Sequence, residues 1–277
     1  MADTREHGAS GGSDRMPRLF DLPDTLVSLP SYPSMTPTLF HRNSVACLRD
    51  EREEESTKPY LARGSRAPRC PYCRVIESHC LCRWRPKVEA KSGVCLIMTT
   101  KEVFKPSNTG WLIADVIKDN HAFVWSRTEV DEKLIALLND PQWQPYLVFP
   151  GEYVAAERVT NTVTINPNKR PLFVLLDATW TEARKIFRKS AYFDSIPILS
   201  LIPEKLSRYK LRRSTRSEHL CTAEVAALCF DLAGDTEAAS ALSCYFDVFS
   251  QHYLGAKNQL PLDLLSDAHQ ELKGYLE

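Results

Sequence analysis

Four cysteines lie close together between positions 70 and 82 and follow the pattern C-x2-C-x6-C-x-C. Four thiolates at this spacing suit tetrahedral zinc, whose structural sites are commonly closed by four sulfur ligands. Bound metal would also contribute to the folding of a segment that is too short to have its own core. Four reduced cysteines without metal are the alternative, and His79 is a weaker ligand because it lies inside the loop. The spacing predicts a structural zinc site formed by Cys70, Cys73, Cys80 and Cys82.

An acid follows the apolar run LFVLL (172–176), in the stretch DATW (177–180). Ligands of α/β proteins bind in the crevice outside the carboxyl ends of the strands, so polar groups at a strand end are candidates for a site. Asp177 is either a base or hydrogen-bond acceptor that faces such a pocket, or a cap for the first amides of the following helix. Trp180 either stacks on a nucleobase or adenine or packs the helix against the sheet.

Three more loops carry small, turn-forming or hydrogen-bonding residues: TTKEVFKPSNTG (99–110), FPGE (149–152) and EHLCTAE (218–224). In the first loop, Asn108, Thr109 and Gly110 can turn the backbone into a helix start. In the last loop, Thr222 is a candidate helix cap. Together with DATW, these loops outline a small-molecule pocket whose ligand the composition does not name. The first strand is not followed by a G-x-G-x-x-G fingerprint, and the chain has no P-loop, so an ordinary dinucleotide fold has little support.

Charge is strongly segregated along a chain whose net charge is zero. Residues 58–92 hold 9 basic and 2 acidic side chains, and residues 184–216 hold 10 and 2. Residues 217–277, in contrast, hold 2 basic and 10 acidic side chains. Two basic blocks in a neutral protein indicate a polyanionic partner that meets one face, and a solvated surface is the alternative. On a helix the pairs Arg184–Arg188 and Lys185–Lys189 are spaced i, i+4 and can point outward together, as phosphate contacts require.

Strands that alternate with helices must position these residues. Apolar runs predict strands at 93–100, 121–125, 146–149, 172–176 and 196–202. Residues 107–117 are predicted to be a loop that enters a helix. Further helices are predicted over 129–139 and 178–190, and in three C-terminal segments near 219–232, 235–255 and 262–275. This alternation predicts an α/β domain with a mainly parallel sheet.

The other cysteines have a simpler interpretation. Cys95 lies in an apolar strand, and Cys229 and Cys244 lie on apolar helix faces, so all three are expected to be buried small hydrophobic residues. Cys221 lies at a helix start, where a lowered thiol pKa is possible, and packing alone is the alternative.

Length and composition indicate a soluble globular protein of one large domain or two small ones. The first residues carry acids and lack the apolar segment of a signal peptide, so we expect a cytoplasmic protein with no membrane span. Nine cysteines in such a chain favour metal binding or buried thiols over disulfides. Three parts are expected: a disordered or loosely structured extension (1–57), a four-cysteine module (58–92) and the α/β domain (93–277).

Several motifs in this chain occur together, and in the same order, in one known family. They are LARGSRAPRCPYC-x6-CLC (61–82), KPSNTGWLIAD (105–115), WSRTE (125–129), FPGE, LLDATWTEARKIFRKS (175–190), YKLR (209–212), CTAEVA (221–226) and AGDTEAA (233–239). The chain resembles the DTW-domain family over roughly residues 58–255, and most closely its bacterial tRNA-uridine aminocarboxypropyltransferases. The family name comes from Asp-Thr-Trp, and Asp177-Ala178-Thr179-Trp180 is a variant within the family pattern.

The resemblance implies a fold, a donor and a reaction. The fold is related to the SPOUT methyltransferases, with an α/β sheet whose C-terminal part forms a trefoil knot. The donor is S-adenosylmethionine, and its 3-amino-3-carboxypropyl chain moves to the imide nitrogen of a uridine in the tRNA variable loop. Methylthioadenosine is released. The implied partner is tRNA, and neither a membrane nor an obligate protein partner is expected.

The resemblance also assigns residues. The donor would be contacted by Phe149, Pro150, Gly151, Trp180, Cys221, Thr222 and Glu224, over a pocket floor shaped by Asn108, Thr109 and Gly110. The catalytic candidates are Asp177, Thr179 and Trp180, with Asp177 as the base or as the group that orients the imide. Arg127 would hold the donor carboxylate or a phosphate. The tRNA backbone would be held by the zinc module and by Arg184, Lys185, Arg188, Lys189, Arg212 and Arg213.

Two other functions fit the same residues. A SPOUT-type RNA methyltransferase would use the same donor and release S-adenosylhomocysteine. A non-catalytic, zinc-bearing RNA-binding protein would need neither Asp177 nor Trp180 and would bind no donor.

Overall fold

The computed structural model describes residues 42–58, 67–201 and 220–276. Within these ranges the strands are β1 (Gly93–Met98), β2 (Asn120–Val124), β3 (Trp143–Val148), β4 (Val159–Thr160), β5 (Arg170–Asp177) and β6 (Ile198–Leu199). The helices are α1 (Ser44–Glu55), α2 (Thr100–Phe104), α3 (Gly110–Val116), α4 (Glu132–Asn139), α5 (Trp180–Lys189), α6 (Thr222–Leu232), α7 (Thr236–Asn258) and α8 (Asp267–Lys273).

The six strands form one sheet in the order β2-β1-β5-β3-β6-β4, and every neighbouring pair is parallel. The prediction of an α/β fold with a parallel sheet is therefore confirmed. All carboxyl ends lie at one edge, where Met98 of β1 is level with Asp177 of β5 and with Val124 of β2. From β1 the chain moves outward to β2, and from β5 it crosses β3 to reach β6. The crevice between β1 and β5 is therefore a topological switch point, where ligands of such sheets bind.

The sheet is buried on both faces, which explains why its central strands are continuous apolar runs. On β1, Val94 and Leu96 pack with helices α3, α6 and α7 in one core cluster. Cys95 and Ile97 point to the opposite face and pack with α4 and α5 in the other. The helix predicted within 129–139 is confirmed as α4, and its leucines Leu134, Leu137 and Leu138 are all buried.

The cysteine module shares a core with the α/β domain. Val75, Leu81 and Trp84 are buried in the same cluster as α7 and α8. The backbone amide of Lys87 donates to the carbonyl of Tyr275 at 2.7 Å. The sequence changes from a basic, cysteine-rich segment to apolar strands at the expected boundary 92/93, but the hydrophobic core is continuous across it.

Residues 44–55 differ from the loose extension expected for residues 1–57. They form α1, whose Val45 and Leu48 are buried in the core. Asn43 caps this helix, because its side-chain oxygen accepts from the amide of Ala46 at 2.9 Å. Only Val45, Leu48 and Arg49 are buried in α1, so its sequence carries too little helical periodicity to reveal it.

Smaller differences concern short elements. The helix α2 lies inside the segment 99–110, which was expected to be a loop. The two-residue strand β4 was not predicted, because it does not belong to an apolar run. Of the strand expected over 196–202, the described residues contain only Ile198 and Leu199 in strand conformation. In the described part of the chain, no helix combines the length and the apolar character needed to cross a bilayer.

Candidate active site and metal centre

Asp177 ends β5 at the carboxyl edge of the sheet, and its side chain is buried. Its two oxygens accept from different connections of the chain. Asn108 Nδ2 donates to Oδ2 at 2.7 Å, and Thr222 Oγ1 donates to Oδ1 at 2.6 Å. Burial raises the pKa of Asp177, and the bonds from Thr222 and Asn108 oppose that rise. The carboxyl is thus held by two neutral donors at the switch point.

The Asn108–Gly110 turn brings the chain very close to Asp177. A Cβ added at Gly110 would overlap Asp177 Oδ2, so a residue without a side chain is required there. Asn108 Oδ1 accepts from the amide of Gly110 at 2.9 Å, and α3 begins at that residue, as predicted. Thr109 Oγ1 accepts from the amide of Ala223 at 3.3 Å. The turn therefore joins the starts of α3 and α6 around one carboxyl group.

The start of α6 differs from the expectation in two respects. Its N-cap is Cys221, so Thr222 is the first helical residue and its hydroxyl is directed at Asp177. The Cys221 amide donates to Glu224 Oε2 at 2.8 Å. Burial raises the pKa of the Cys221 thiol to about 12, so the thiol is not activated. Glu224 is buried, and its Oε1 has no hydrogen-bond partner among the described residues.

The loop after β3 carries the FPGE motif. The Gly151 amide donates to Ser200 Oγ at 3.0 Å, and a Cβ at Gly151 would lie 2.8 Å from Val159 Cγ1. Pro150 precedes this glycine in extended conformation and is exposed. The loop is therefore held against β4 and β6 by close backbone approach.

Three aromatic rings stack from this loop toward solvent. Phe149 is buried and stacks on Phe187 at a centroid distance of 4.4 Å and on Trp180 at 5.5 Å. Trp180 is 48% exposed, and the neighbouring Tyr153 is 43% exposed. Trp180 thus packs against the loop and keeps part of its surface open to solvent at the edge of the site.

Thr179 caps α5, a role for which Asp177 was one candidate. Its hydroxyl donates to Glu182 Oε2 at 2.5 Å and its amide donates to the same oxygen at 3.1 Å. This capping box gives Thr179 a structural role. Asp177 is left to bind Asn108 and Thr222, so the capping alternative for Asp177 is wrong.

The predicted RNA-binding residues are distributed over α5 and the loop after β2. Arg184, Lys185, Arg188 and Lys189 are all exposed on α5, and Arg127 is exposed after β2. The guanidinium of Arg184 lies 5.0 Å from the centre of the Tyr153 ring. Arg212 and Arg213 lie outside the described residues.

The four cysteines of the module converge on one point. Cys70 Sγ lies 3.5 Å from Cys82 Sγ, Cys73 Sγ lies 3.8 Å from Cys80 Sγ, and all four sulfurs are within 4.8 Å of one another. Tetrahedral zinc with bonds of about 2.3 Å separates its sulfurs by about 3.8 Å. The cluster can therefore hold one metal ion, and zinc fits it.

The environment of the sulfurs favours a bound cation. The Leu81 amide donates to Cys73 Sγ at 3.3 Å, and Arg74, directly after the second cysteine, adopts a φ of 62°. Contact with Cys70 raises the pKa of Cys73 and of Cys82. A cation would allow all four thiols to ionise together. His79 is directed elsewhere, since its Nε2 lies 2.9 Å from the carbonyl oxygen of Leu260.

Several arginines of the basic module bind within the protein. Arg74 Nη1 donates to the carbonyl of Val103 at 2.7 Å, and Arg85 forms an ion pair with Asp115, whose side chain is 1% exposed. Arg69 donates to the carbonyl of Arg74 at 3.1 Å. The charge that this module offers to a partner is therefore smaller than its sequence indicates.

The cysteines outside the cluster agree with their interpretation as packing residues. Cys95 and Cys229 are fully buried, and burial raises the pKa of both thiols. Cys244 is half-buried against the core.

The sequence did not predict a cleft beside α5, although Lys185 in its wall was expected to bind RNA. An open cleft of about 250 Å³ lies between the ends of β1 and β2 and this helix. It is lined by Thr99, Thr100, Lys101, Trp125, Glu182, Lys185 and Ile186. The T-x-x-E pattern of a capping box was a readable signal for Glu182. Thr99 and Lys101 belong to the loop 99–110 and Trp125 to the motif WSRTE, but nothing in the sequence assigned these three side chains to one cleft.

Comparison with known families agrees with this arrangement. The family model described as the DTW domain matches residues 67–254, which is more than half of the chain. The chain belongs to the DTW-domain family. This family is associated with tRNA modification, and the matched region contains the cysteine cluster and the Asp177 site. No solved structure was found that matches the chain.

Proposed function

We propose that this DTW-domain protein transfers the 3-amino-3-carboxypropyl group of S-adenosylmethionine to the imide nitrogen of a variable-loop uridine in tRNA. One observation carries the proposal. Asn108 and Thr222, from two separate connections, hold the buried Asp177 at the switch point of a parallel sheet. RNA binding alone requires no such convergence of loops at a sheet edge, where small-molecule ligands bind.

The proposed reaction is a substitution at carbon. The uridine imide nitrogen forms a bond to the carbon of the amino-acid arm that is attached to sulfur, and that carbon–sulfur bond breaks. Its electron pair stays on sulfur, so the positively charged sulfonium leaves as neutral methylthioadenosine. The imide proton passes to a base. Orientation decides which of the three carbons on sulfur meets the nucleophile, so positioning is the main task of the protein.

Asp177 fits the role of the base or of the group that orients the imide. An efficient general base has a pKa near the working pH, and burial moves the pKa of Asp177 upward, toward that range. Each carboxylate oxygen has more than one acceptor position. Asp177 can therefore accept an imide N–H while Asn108 and Thr222 stay bound.

The donor is proposed to bind across the loop ends at the same edge. The buried Glu224 Oε1 is an acceptor without a partner among the described residues, and such a group fits a polar ligand. The Phe149–Gly151 loop and the exposed face of Trp180 would complete the contact. Thr109 and Cys221 support this pocket through the caps of α3 and α6.

We further propose the knotted, SPOUT-like connection for the C-terminal part. The late strand β6 lies between the earlier strands β3 and β4. A chain that returned through an earlier connection would have this order, and the order also occurs without a knot, so the knot is proposed on the family resemblance.

The partner is proposed to be tRNA. The exposed side chains of Arg184, Lys185, Arg188 and Lys189 form a basic surface beside the site, and Arg127 extends it. A loop uridine can be splayed into a pocket because it is not fully stacked. A zinc ion at the cysteine cluster would have a structural role, since four sulfurs leave no open position for water. We place the reaction in the cytoplasm, where tRNA and the reducing conditions that keep thiols free occur together.

The proposal is tested by incubating the purified protein with unmodified tRNA and S-adenosylmethionine and identifying both products by mass spectrometry. Aminocarboxypropyl-uridine with methylthioadenosine is the expected result, and fragment mapping would locate the uridine. Methyl-uridine with S-adenosylhomocysteine would overturn the proposal in favour of a methyltransferase. RNA binding without any product or donor binding would favour the non-catalytic alternative.

A further inference from the structure

The cleft on the α5 side of the sheet adjoins the Asp177 site. Thr99 directly follows Met98, which is the register partner of Asp177 on the neighbouring strand. The charge of Lys105 acts on both Asp177 and Glu182. A ligand at the sheet edge could therefore reach the cleft with one end and the Asp177 region with the other.

One wall of the cleft carries a fixed negative charge. The capping box holds Glu182 through Oε2 and leaves Oε1 available. The bond from the Thr179 side chain keeps the pKa of Glu182 low, and Lys105 and Lys101 lower it further. The carboxylate is therefore ionised at neutral pH and held in one place.

The cleft is also lined by two positively charged side chains and by an aromatic ring. Lys101 and Lys185 both line the cleft, and Lys185 Nζ lies 5.5 Å from the centre of the Trp125 ring. The Trp125 indole nitrogen donates to Ser190 Oγ at 2.9 Å, which fixes the ring. Thr99 Oγ1 is buried and has no hydrogen-bond partner among the described residues. A buried hydroxyl without a partner is uncommon in native proteins, and here it belongs to a residue that lines the cleft.

This set of groups is complementary to an α-amino acid head. Such a head carries an ammonium and a carboxylate on one carbon, so it requires an acid and a base within a few ångströms of each other. Glu182 supplies the acid, the two lysines supply positive charge, and Ile186 and the Trp125 ring can cover methylene groups. A phosphate group alone would be repelled by Glu182.

We propose that this cleft binds the amino-acid end of S-adenosylmethionine, with Glu182 holding the ammonium and Lys101 and Lys185 holding the carboxylate. The inference rests on the proposed function, because that function supplies the donor. Anchoring this end would hold the transferred arm at the sheet edge and turn the methyl group away from the RNA.

The test compares two ligands by isothermal titration calorimetry on the full, zinc-loaded chain. S-adenosylmethionine has the amino-acid arm, whereas methylthioadenosine has the same adenosine and methylthio groups and lacks that arm. In Glu182→Gln we expect the affinity for S-adenosylmethionine to fall about tenfold, as the loss of one charged hydrogen bond predicts. The affinity for methylthioadenosine should not change. Glutamine also serves in a capping box, so α5 keeps its cap.

Two further variants make the comparison specific. Lys101→Met, on the far side of the cleft from α5, should reproduce the selective loss. Lys133→Met changes an exposed lysine of α4 that does not line the cleft, and it should leave the affinities for both ligands unchanged. Equal losses for the two ligands, or no loss in either cleft variant, would overturn the inference and leave the proposed function standing. A wild-type chain that binds neither ligand would overturn both.

Discussion

Two buried aspartates, Asp115 on α3 and Asp177 at the end of β5, are held in different ways. Asp115 forms an ion pair with Arg85 and accepts from Asn43 Nδ2 at 2.6 Å and from the Tyr245 hydroxyl at 3.0 Å. The two hydrogen bonds to Asp177 come from uncharged side chains, an amide and a hydroxyl. Burial raises the pKa of both carboxyls, but Arg85 opposes the rise only at Asp115.

The difference separates a structural acid from a candidate functional one. Asp115 joins four parts of the chain, because its partners lie before α1, in the cysteine module and on α7. The Arg85 guanidinium opposes the rise of its pKa that burial causes, so this carboxyl has a charged partner within the fold. Asp177 keeps a perturbed pKa at the edge where ligands bind, and perturbed acids in such places are candidates for function.

The largest expected effect is a loss of stability near Asp115, caused by removal of the metal ion from the cysteine cluster. Arg85 lies three residues after Cys82, so loss of the metal would release the segment that carries it. We expect Cys73→Ser to abolish stoichiometric zinc and to lower the free energy of unfolding by more than about 5 kcal/mol. Metal analysis and urea unfolding measure both changes. Cys47→Ser, at an exposed cysteine outside the cluster, should change neither.

The second effect is on the Asp177 side and concerns turnover. Asp177→Asn should reduce the rate of the proposed transfer about 100- to 1,000-fold, the range typical of a lost general base. Asparagine keeps acceptor oxygen for one donor, and the donor affinity should stay within twofold. Stability should change little, because the loss of one hydrogen bond is offset by the removal of a buried group whose pKa is raised. An Asp whose folded pKa exceeds its unfolded pKa destabilises the fold as pH rises.

Two controls make this result specific. Asp194→Asn, at an exposed aspartate after α5, should keep normal turnover. In the wild type, kcat/KM should rise with pH through a pKa above the ordinary range of aspartate, and Asp177→Asn should lack that limb. Near-normal turnover by Asp177→Asn with normal donor binding would remove Asp177 from the mechanism.

The third effect returns to Asp115. Asp115→Asn removes the carboxylate that pairs with Arg85, and breaking a buried ion pair lowers stability by about 3 kcal/mol or more. The Arg85 side chain is 23% exposed, so we expect about 2 kcal/mol in urea unfolding. Turnover per folded molecule should stay close to the wild-type value. A variant with normal stability and low turnover would show that the structural role assigned to Asp115 is wrong.

Local patterns were sufficient to place Asp177, the candidate functional aspartate. A continuous apolar run predicted β5, and Asp177 is its final residue. The Asn108–Gly110 turn was expected to start a helix, and it does. The cysteine spacing predicted the convergence of four sulfurs, because ligands close together in sequence need little tertiary information to meet.

The structural aspartate could not be predicted in this way. Asn43, Arg85, Asp115 and Tyr245 are far apart in sequence, and each has an ordinary local context. The helix α1 forms against the core with three buried residues, so tertiary packing decides it. At α6, Cys221 and Thr222 are neighbours that can both cap a helix. Only the tertiary structure shows that Cys221 is the N-cap and that the Thr222 hydroxyl donates to Asp177.

The smallest effect comes from a matched pair of hydroxyl removals. Thr222→Val deletes one donor to Asp177, and Tyr245→Phe deletes one donor to Asp115. Each should lower the free energy of unfolding by about 1 kcal/mol. The Thr222 bond lowers the pKa of Asp177, so its loss should raise that pKa further. The acid limb of kcat/KM should then move to higher pH in Thr222→Val and stay in place in Tyr245→Phe.

This pair separates the two aspartates by a property that stability alone does not report. Equal stability losses are expected on both sides, because each variant removes one hydrogen bond from a buried carboxyl. The pH dependence of kcat/KM reports the pKa of an acid only if that acid takes part in the reaction. If both variants move the acid limb equally, the limb reports general folding stability, and the assignment of Asp177 as the reacting base is wrong.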